Sequence, residues 1–197
     1  MSGGATDLWN NFGHFGAAGM PGAEALVLEI NRIVYTHGIK SPITTRRGIK
    51  ARLNYLDSPS GRAELRTQGF ADRTIKNWMR GKTTPRTKDV LDRLDNAYWT
   101  RRRENLVRSG RLKRFLTNEG RGRRVEIYPV DQTDVTPGRV RVIEQRTLQV
   151  RYGWDDIVDA WAARDLDELD AIWEDTINEI GSELAAYAYV SAIGIGV

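Results

Sequence analysis

Cysteine is missing from all 197 residues, and histidine occurs only as His14 and His37. Without thiols the chain has no disulfide, no thiolate metal ligand and no thiol nucleophile. Two isolated histidines supply neither a histidine-based metal centre nor a hydrolase triad, so no metal and no cofactor is expected. No ordered set of carboxylates suggests a self-contained catalyst, and an enzyme acting on nucleic acid is the weakest reading. Long apolar runs are absent too: none approaches the ~18 residues of a membrane span. The N-terminus lacks a basic region followed by an apolar stretch, so no secretion signal and no membrane partner are expected. These absences fit a cytoplasmic, nucleoid-associated protein.

What is abundant is positive charge in one block. The net charge is only +4, but residues 39–124 carry 24 Lys/Arg and 8 Asp/Glu, whereas residues 152–197 carry 1 Arg and 11 Asp/Glu. A cationic excess confined to one block is the footprint of a polyanion partner. The acidic end is read as a solvated face, as a surface for self-association into a homodimer, or as a DNA mimic that limits non-specific binding.

Within the basic block, residues 61–81 read as a helix-turn-helix: helix 62–68, a Gly69–Phe70 turn, helix 72–80 and a stop at Gly81. Leu65, Phe70, Ile75 and Trp78 are the expected core. Leu65 stands four before the turn glycine, where a small residue is usual, which predicts a looser crossing. Ile75, Trp78 and Met79 share one helical face. The opposite face carries Arg73, Thr74, Lys76, Asn77 and Arg80, all able to donate to phosphates or base edges. Lys82 and Arg86 follow in the adjoining loop, and DNA is the expected partner.

Along the chain, residues 1–20 form a Gly-rich N-terminus expected to be poorly ordered. Residues 21–119 form a helical DNA-binding domain, and residues 120–197 a small α+β domain for priming, partner contact or dimerisation. Helices are predicted over 21–37, 46–56 (preceding the reading pair) and 87–104, continuing through 105–114. Ser60 is the expected cap of the helix before the turn, and Thr87 of the long helix. Further candidate DNA contacts are Arg46, Arg47 and Lys50, Arg101, Arg102 and Arg103, and Arg121, Arg123 and Arg124 of the Gly-Arg-Gly-Arg-Arg run. Strands are predicted at about 125–130, 139–152 and 187–197, with acidic helices over 154–163 and 166–182. The fold class is therefore α+β. The acids of those helices spread over both sides, which argues against a metal site.

The order of these features carries a resemblance. Trp78, Gly81 and Pro85-Arg86 end the helix-turn-helix; a long helix, an Arg-rich stretch and the Gly-Arg-Gly-Arg-Arg run follow. Then come a Thr/Asp/Pro/Gly loop, a strand and a C-terminal helix. From about Ile49 to the end, the chain resembles the telomere terminal proteins of linear actinobacterial chromosomes and plasmids. The likeness lies in order and spacing rather than in a long identical run, and Thr-Ile-x-x-Trp-x-x-Gly is shared with many repressors. The resemblance implies covalent protein–DNA linkage through a side-chain hydroxyl, recognition of folded single-stranded ends, and protein priming of DNA replication at the telomere of a linear replicon. Its implied partners are a DNA polymerase and a telomere-associated protein. Thr133 and Thr136, with Tyr128 as an outsider, are the candidate linked hydroxyls; taken singly, each reads first as a turn hydroxyl bonding its own backbone. The alternative is a helix-turn-helix transcriptional regulator that dimerises through its acidic domain.

Overall fold

The computed structural model describes residues 16–178 and 184–196. The class is α+β: among the described residues are eight α-helices and one four-stranded antiparallel sheet. The chain divides into two units, Ile33–Ser109 and a second formed by the segment up to Arg32 together with Gly110 onward. The division thus falls away from the expected boundary at 119/120. Most of the first helix and the short helix after Gly110 go with the sheet. The expected N-terminal Gly-rich segment lies largely outside the described residues, as does His14.

The helical unit contains the end of α1 (Gly22–Thr36), then α2 (Arg46–Tyr55), α3 (Pro59–Thr67), α4 (Asp72–Met79) and α5 (Lys88–Arg108). Local chemistry sets the starts. Thr45 accepts the Gly48 N–H at 3.0 Å and caps α2. Ser58 accepts the Gly61 N–H at 3.0 Å, and Pro59 takes the first helical position. Hence α3 begins earlier than the expected 62, with Ser58 rather than Ser60 as its cap. Thr87 precedes α5 but makes no side-chain capping bond. Gly69, at φ 82°, turns the chain between α3 and α4, a conformation that a side chain would disfavour.

The core of this unit joins Ile49, Leu53, Leu56, Leu65, Phe70, Ile75, Trp78, Leu91, Leu94, Ala97 and Tyr98. Phe70 and Trp78 meet edge to face at 4.8 Å. Arg52 is 4% exposed among them. Its guanidinium donates to Asp95, to the Ser41 carbonyl at 2.9 Å and to the Gly48 carbonyl at 3.2 Å. These bonds satisfy a charge that would otherwise be costly to bury. Arg93 donates to the Gln68 carbonyl at 3.1 Å and lies over the Phe70 ring at 4.7 Å, bracing the α3–α4 turn. The helix expected to run on through 105–114 breaks at Gly110, whose φ of 64° is left-handed.

The second unit holds β1 (Met20–Pro21), the first part of α1, α6 (Arg111–Thr117), β2 (Arg123–Pro129), β3 (Arg146–Val150), α7 (Trp154–Ala163), α8 (Leu166–Asn178) and β4 (Tyr189–Ile195). The sheet order is β1-β4-β2-β3. Ile127 pairs with Ile193 and Val125 with Ile195, so these buried residues share one face, while Arg124, Glu126 and Tyr128 point to the other. Buried Glu29 accepts the Ile195 N–H at 2.9 Å, tying α1 to β4, and accepts from Nε and Nη2 of Arg32 at 2.6 Å each. The buried tryptophans each place their N–H on a partner: Trp154 on the Val150 carbonyl, Trp161 on Asn31 and Trp173 on the Tyr187 carbonyl.

Three expectations shift here. Only residues 146–150 of the predicted 139–152 strand pair. Its pairing with β2 ends at Ile127↔Arg146. Val142, in the unpaired part, is 95% exposed. The C-terminal strand is shorter than 187–197, being preceded by a 3₁₀ turn over Leu184–Tyr187. Helix α8 is described to Asn178, and the remainder of its predicted span, 179–182, lies outside the described residues.

Candidate nucleic-acid interface

Helix α4 is divided lengthwise. Ile75 and Trp78 are buried and Met79 packs partly against the core, whereas Arg73, Lys76 and the C-cap Arg80 are exposed. Thr74 and Asn77 are half-buried at the border. The apolar side needs the core; the donor-rich side is left to solvent.

The cations of the helical unit separate into two sets. Arg62 pairs with Asp57 at 2.6 Å, Arg66 with Asp72 at 2.7 Å and Arg93 with Asp89 at 2.8 Å, and Arg52 is held inside the core. Arg46, Arg47, Lys50, Arg73, Lys76, Arg80, Lys82 and Arg86 are all exposed, and none enters an ion pair among the described residues. Their charge is uncompensated locally, the condition in which an anionic backbone gains most. Arg46 and Lys50, one helical turn apart, stand beside a groove of ≈ 480 Å³ whose other wall is Trp78, Met79, Gly81, Thr83 and Thr84. The start of α2 and the end of α4 therefore border one concavity.

Other expected contacts are committed elsewhere. Arg101 is 8% exposed and bonded to Glu104, because its position on α5 turns it inward. Arg102 donates to the carbonyls of Val34 and His37, closing the end of α1. Arg101 is thus turned inward and Arg102 is engaged within its own unit, while Arg103 is half-buried. In the sheet unit, Arg123 lies over the Phe115 ring at 4.2 Å and donates to the Phe115 carbonyl at 2.8 Å. Arg121 pairs with Glu119 at 2.7 Å and Arg124 with Glu126. The Gly-Arg-Gly-Arg-Arg run is thus largely self-satisfied rather than a bare cationic loop.

The three hydroxyls differ. Thr133 is exposed, and its hydroxyl donates to Asp131 at 2.6 Å while its amide does so at 2.9 Å. Those bonds hold the Asp131 carboxyl below its ordinary value. Thr136 is exposed in the same loop, and its carbonyl accepts the Arg139 N–H at 3.0 Å. Tyr128 donates to Glu126 at 2.9 Å on the outer sheet face. Glu126 pushes the phenol pKa up, while Arg124, then Tyr128, draw the Glu126 carboxyl down. The phenol is therefore held protonated. Among the described residues no cluster of His, Cys, Asp or Glu fits a metal ion, and no helix is long and apolar enough to cross a membrane.

Arg52 and Glu29 are the residues that sequence reasoning missed. Both sit on apolar stripes: Arg52 is three past Ile49 and four before Leu56, and Glu29 is three past Leu26 and four before Ile33. A charge in an inward register is the signal that marks them. No family model matches this sequence, and neither a curated protein nor a solved structure is similar to it.

Proposed function

We propose that the protein binds duplex DNA through a helix-turn-helix formed by α3 and α4, with α4 in the major groove. The observation that carries this reading is the two-sided character of α4, anchored by Ile75 and Trp78 and presenting unpaired Arg73, Lys76 and Arg80. Arg46, Arg47, Lys50, Lys82 and Arg86 hold the flanking phosphates; Thr74 and Asn77 reach base edges. Selection from a random duplex pool, followed by fluorescence anisotropy on the enriched sequence, tests it. Enrichment lost in an Arg73→Ala/Lys76→Ala double variant is the expected outcome. A pool that never enriches refutes it.

What the protein does once bound is, on this proposal, to cap and prime the end of a linear replicon. The exposure of Thr133 and Thr136 on one loop favours this, because a priming hydroxyl must reach a nucleotide α-phosphate held by a polymerase. Mass spectrometry of nuclease-digested protein from its native host should find a nucleotide-sized mass on one of these threonines. An unmodified loop, together with enrichment of a palindrome with half-sites about one helical turn apart, would instead identify a dimeric regulator.

A further inference from the structure

We infer that the groove between α2 and the loop after α4 seats one nucleotide unit, with its phosphate on Arg46 and Lys50 and its base against Trp78 and Met79. The lining of the groove combines three kinds of group. At the start of α2 stand two exposed cations without an ion-pair partner among the described residues. Their charge calls for an anion. Half-buried Met79 and the exposed edges of buried Ile49, Leu53 and Trp78 add a small apolar surface that a bare phosphate ion would leave uncovered and one edge of a base ring would cover. Further along α2 comes Asn54, whose exposed side-chain amide has no partner among the described residues, and the lining also includes Thr83 and Thr84. Such donors and acceptors suit the polar edge of a base. Asp57, at the far limit, is engaged by Arg62 at 2.6 Å and does not oppose the phosphate end.

Along the α2 axis, Arg46 and Asn54 are separated by ~12 Å at ~1.5 Å per residue. A volume of ≈ 480 Å³ lies in the range of small-molecule sites. The same chemistry has two sources: a nucleotide of bound DNA or a free nucleotide acting as effector. In either case the occupant touches Trp78 and Met79, which belong to α4 or its end, so occupancy bears on the proposed DNA-reading helix. The inference relies on the DNA-binding reading only for the first source.

The test is isothermal titration of the full chain with each of the four deoxynucleoside monophosphates and, separately, with inorganic phosphate. At least one monophosphate should bind saturably, and inorganic phosphate about tenfold more weakly or worse. Lys50→Glu should weaken the monophosphate about tenfold, and Asn54→Ala should change the preference among the four bases. Circular dichroism melts of both variants should match the parent, since both positions are exposed. No saturable binding up to about 10 mM, or binding indifferent to Lys50→Glu, overturns the inference. Repeating the DNA selection with Asn54→Ala distinguishes the sources. A changed sequence preference assigns the groove to a nucleotide of the DNA, and an unchanged preference assigns it to a free effector. DNA binding with no monophosphate binding refutes the groove alone; monophosphate binding with no DNA affinity refutes the DNA reading alone.

Discussion

Two groups of arginines, one in each unit, meet opposite conditions. In the helical unit Arg46, Arg47, Arg73 and Arg80 stand exposed without an ion-pair partner among the described residues, while in the sheet unit Arg121, Arg123 and Arg124 are bonded to Glu119, to the Phe115 carbonyl and ring, and to Glu126. Both sets come from the same basic block of sequence. Local charge density therefore does not identify a polyanion site. Whether each cation already has a partner bears on it more directly, because a cation already satisfied within its own unit gains less from a phosphate.

The largest expected effects lie in the core beneath the exposed set. Trp78→Ala should destabilise the chain by roughly 3–5 kcal/mol, and Arg52→Ala by roughly 1–3 kcal/mol, since it removes the donor to the Ser41 carbonyl while Asp95 keeps the Trp99 N–H. Arg47→Ala should stay within about 0.5 kcal/mol. Urea denaturation reads all three, and equal losses for Arg52 and Arg47 would break the division between buried and exposed cations. In the sheet unit, Glu29→Ala removes the acceptor of the Ile195 N–H and should cost about 1–3 kcal/mol. A smaller loss would mean that water replaces the carboxylate there.

The comparison is sharpened by binding. Arg73→Ala should weaken DNA affinity by about 1–3 kcal/mol if it reads a base, or lower the salt slope by about one if it holds a phosphate, at unchanged stability. Arg123→Ala should do the reverse, lowering the melting temperature and leaving DNA affinity intact. Anisotropy against salt, paired with melts, tells the two patterns apart. The smallest effect concerns pH. Asp131's depressed carboxyl pKa means that its contribution is present above the ordinary carboxylate range and is lost as pH falls through its folded value. Thr133→Val should return that carboxyl towards its ordinary value in an NMR titration; an unmoved midpoint would show that the Thr133 hydroxyl is not its cause.

Much of the helical unit was legible because helices declare themselves locally. The spacing of Ile75 and Trp78, the Gly69 turn and the limits of α2 and α4 all follow from periodicity and capping within a few residues. The helix over 154–163 was legible for the same reason. Strand 139–152 was misjudged because alternation records a face, not a partner: β2 ends its pairing at Ile127 and leaves Val140 and Val142 exposed.

By itself, then, the sequence determined the α+β class, the two faces of α4 and the confinement of positive charge to one block. Tertiary structure alone decided which arginines are free, that most of α1 and all of α6 belong with the sheet, and that the start of α2 and the end of α4 border a groove. The physical reason is range. Periodicity and caps act over a helical turn, whereas the partners of Arg52 and Glu29 lie 43 and 166 residues away along the chain, where only folding brings donor and acceptor together.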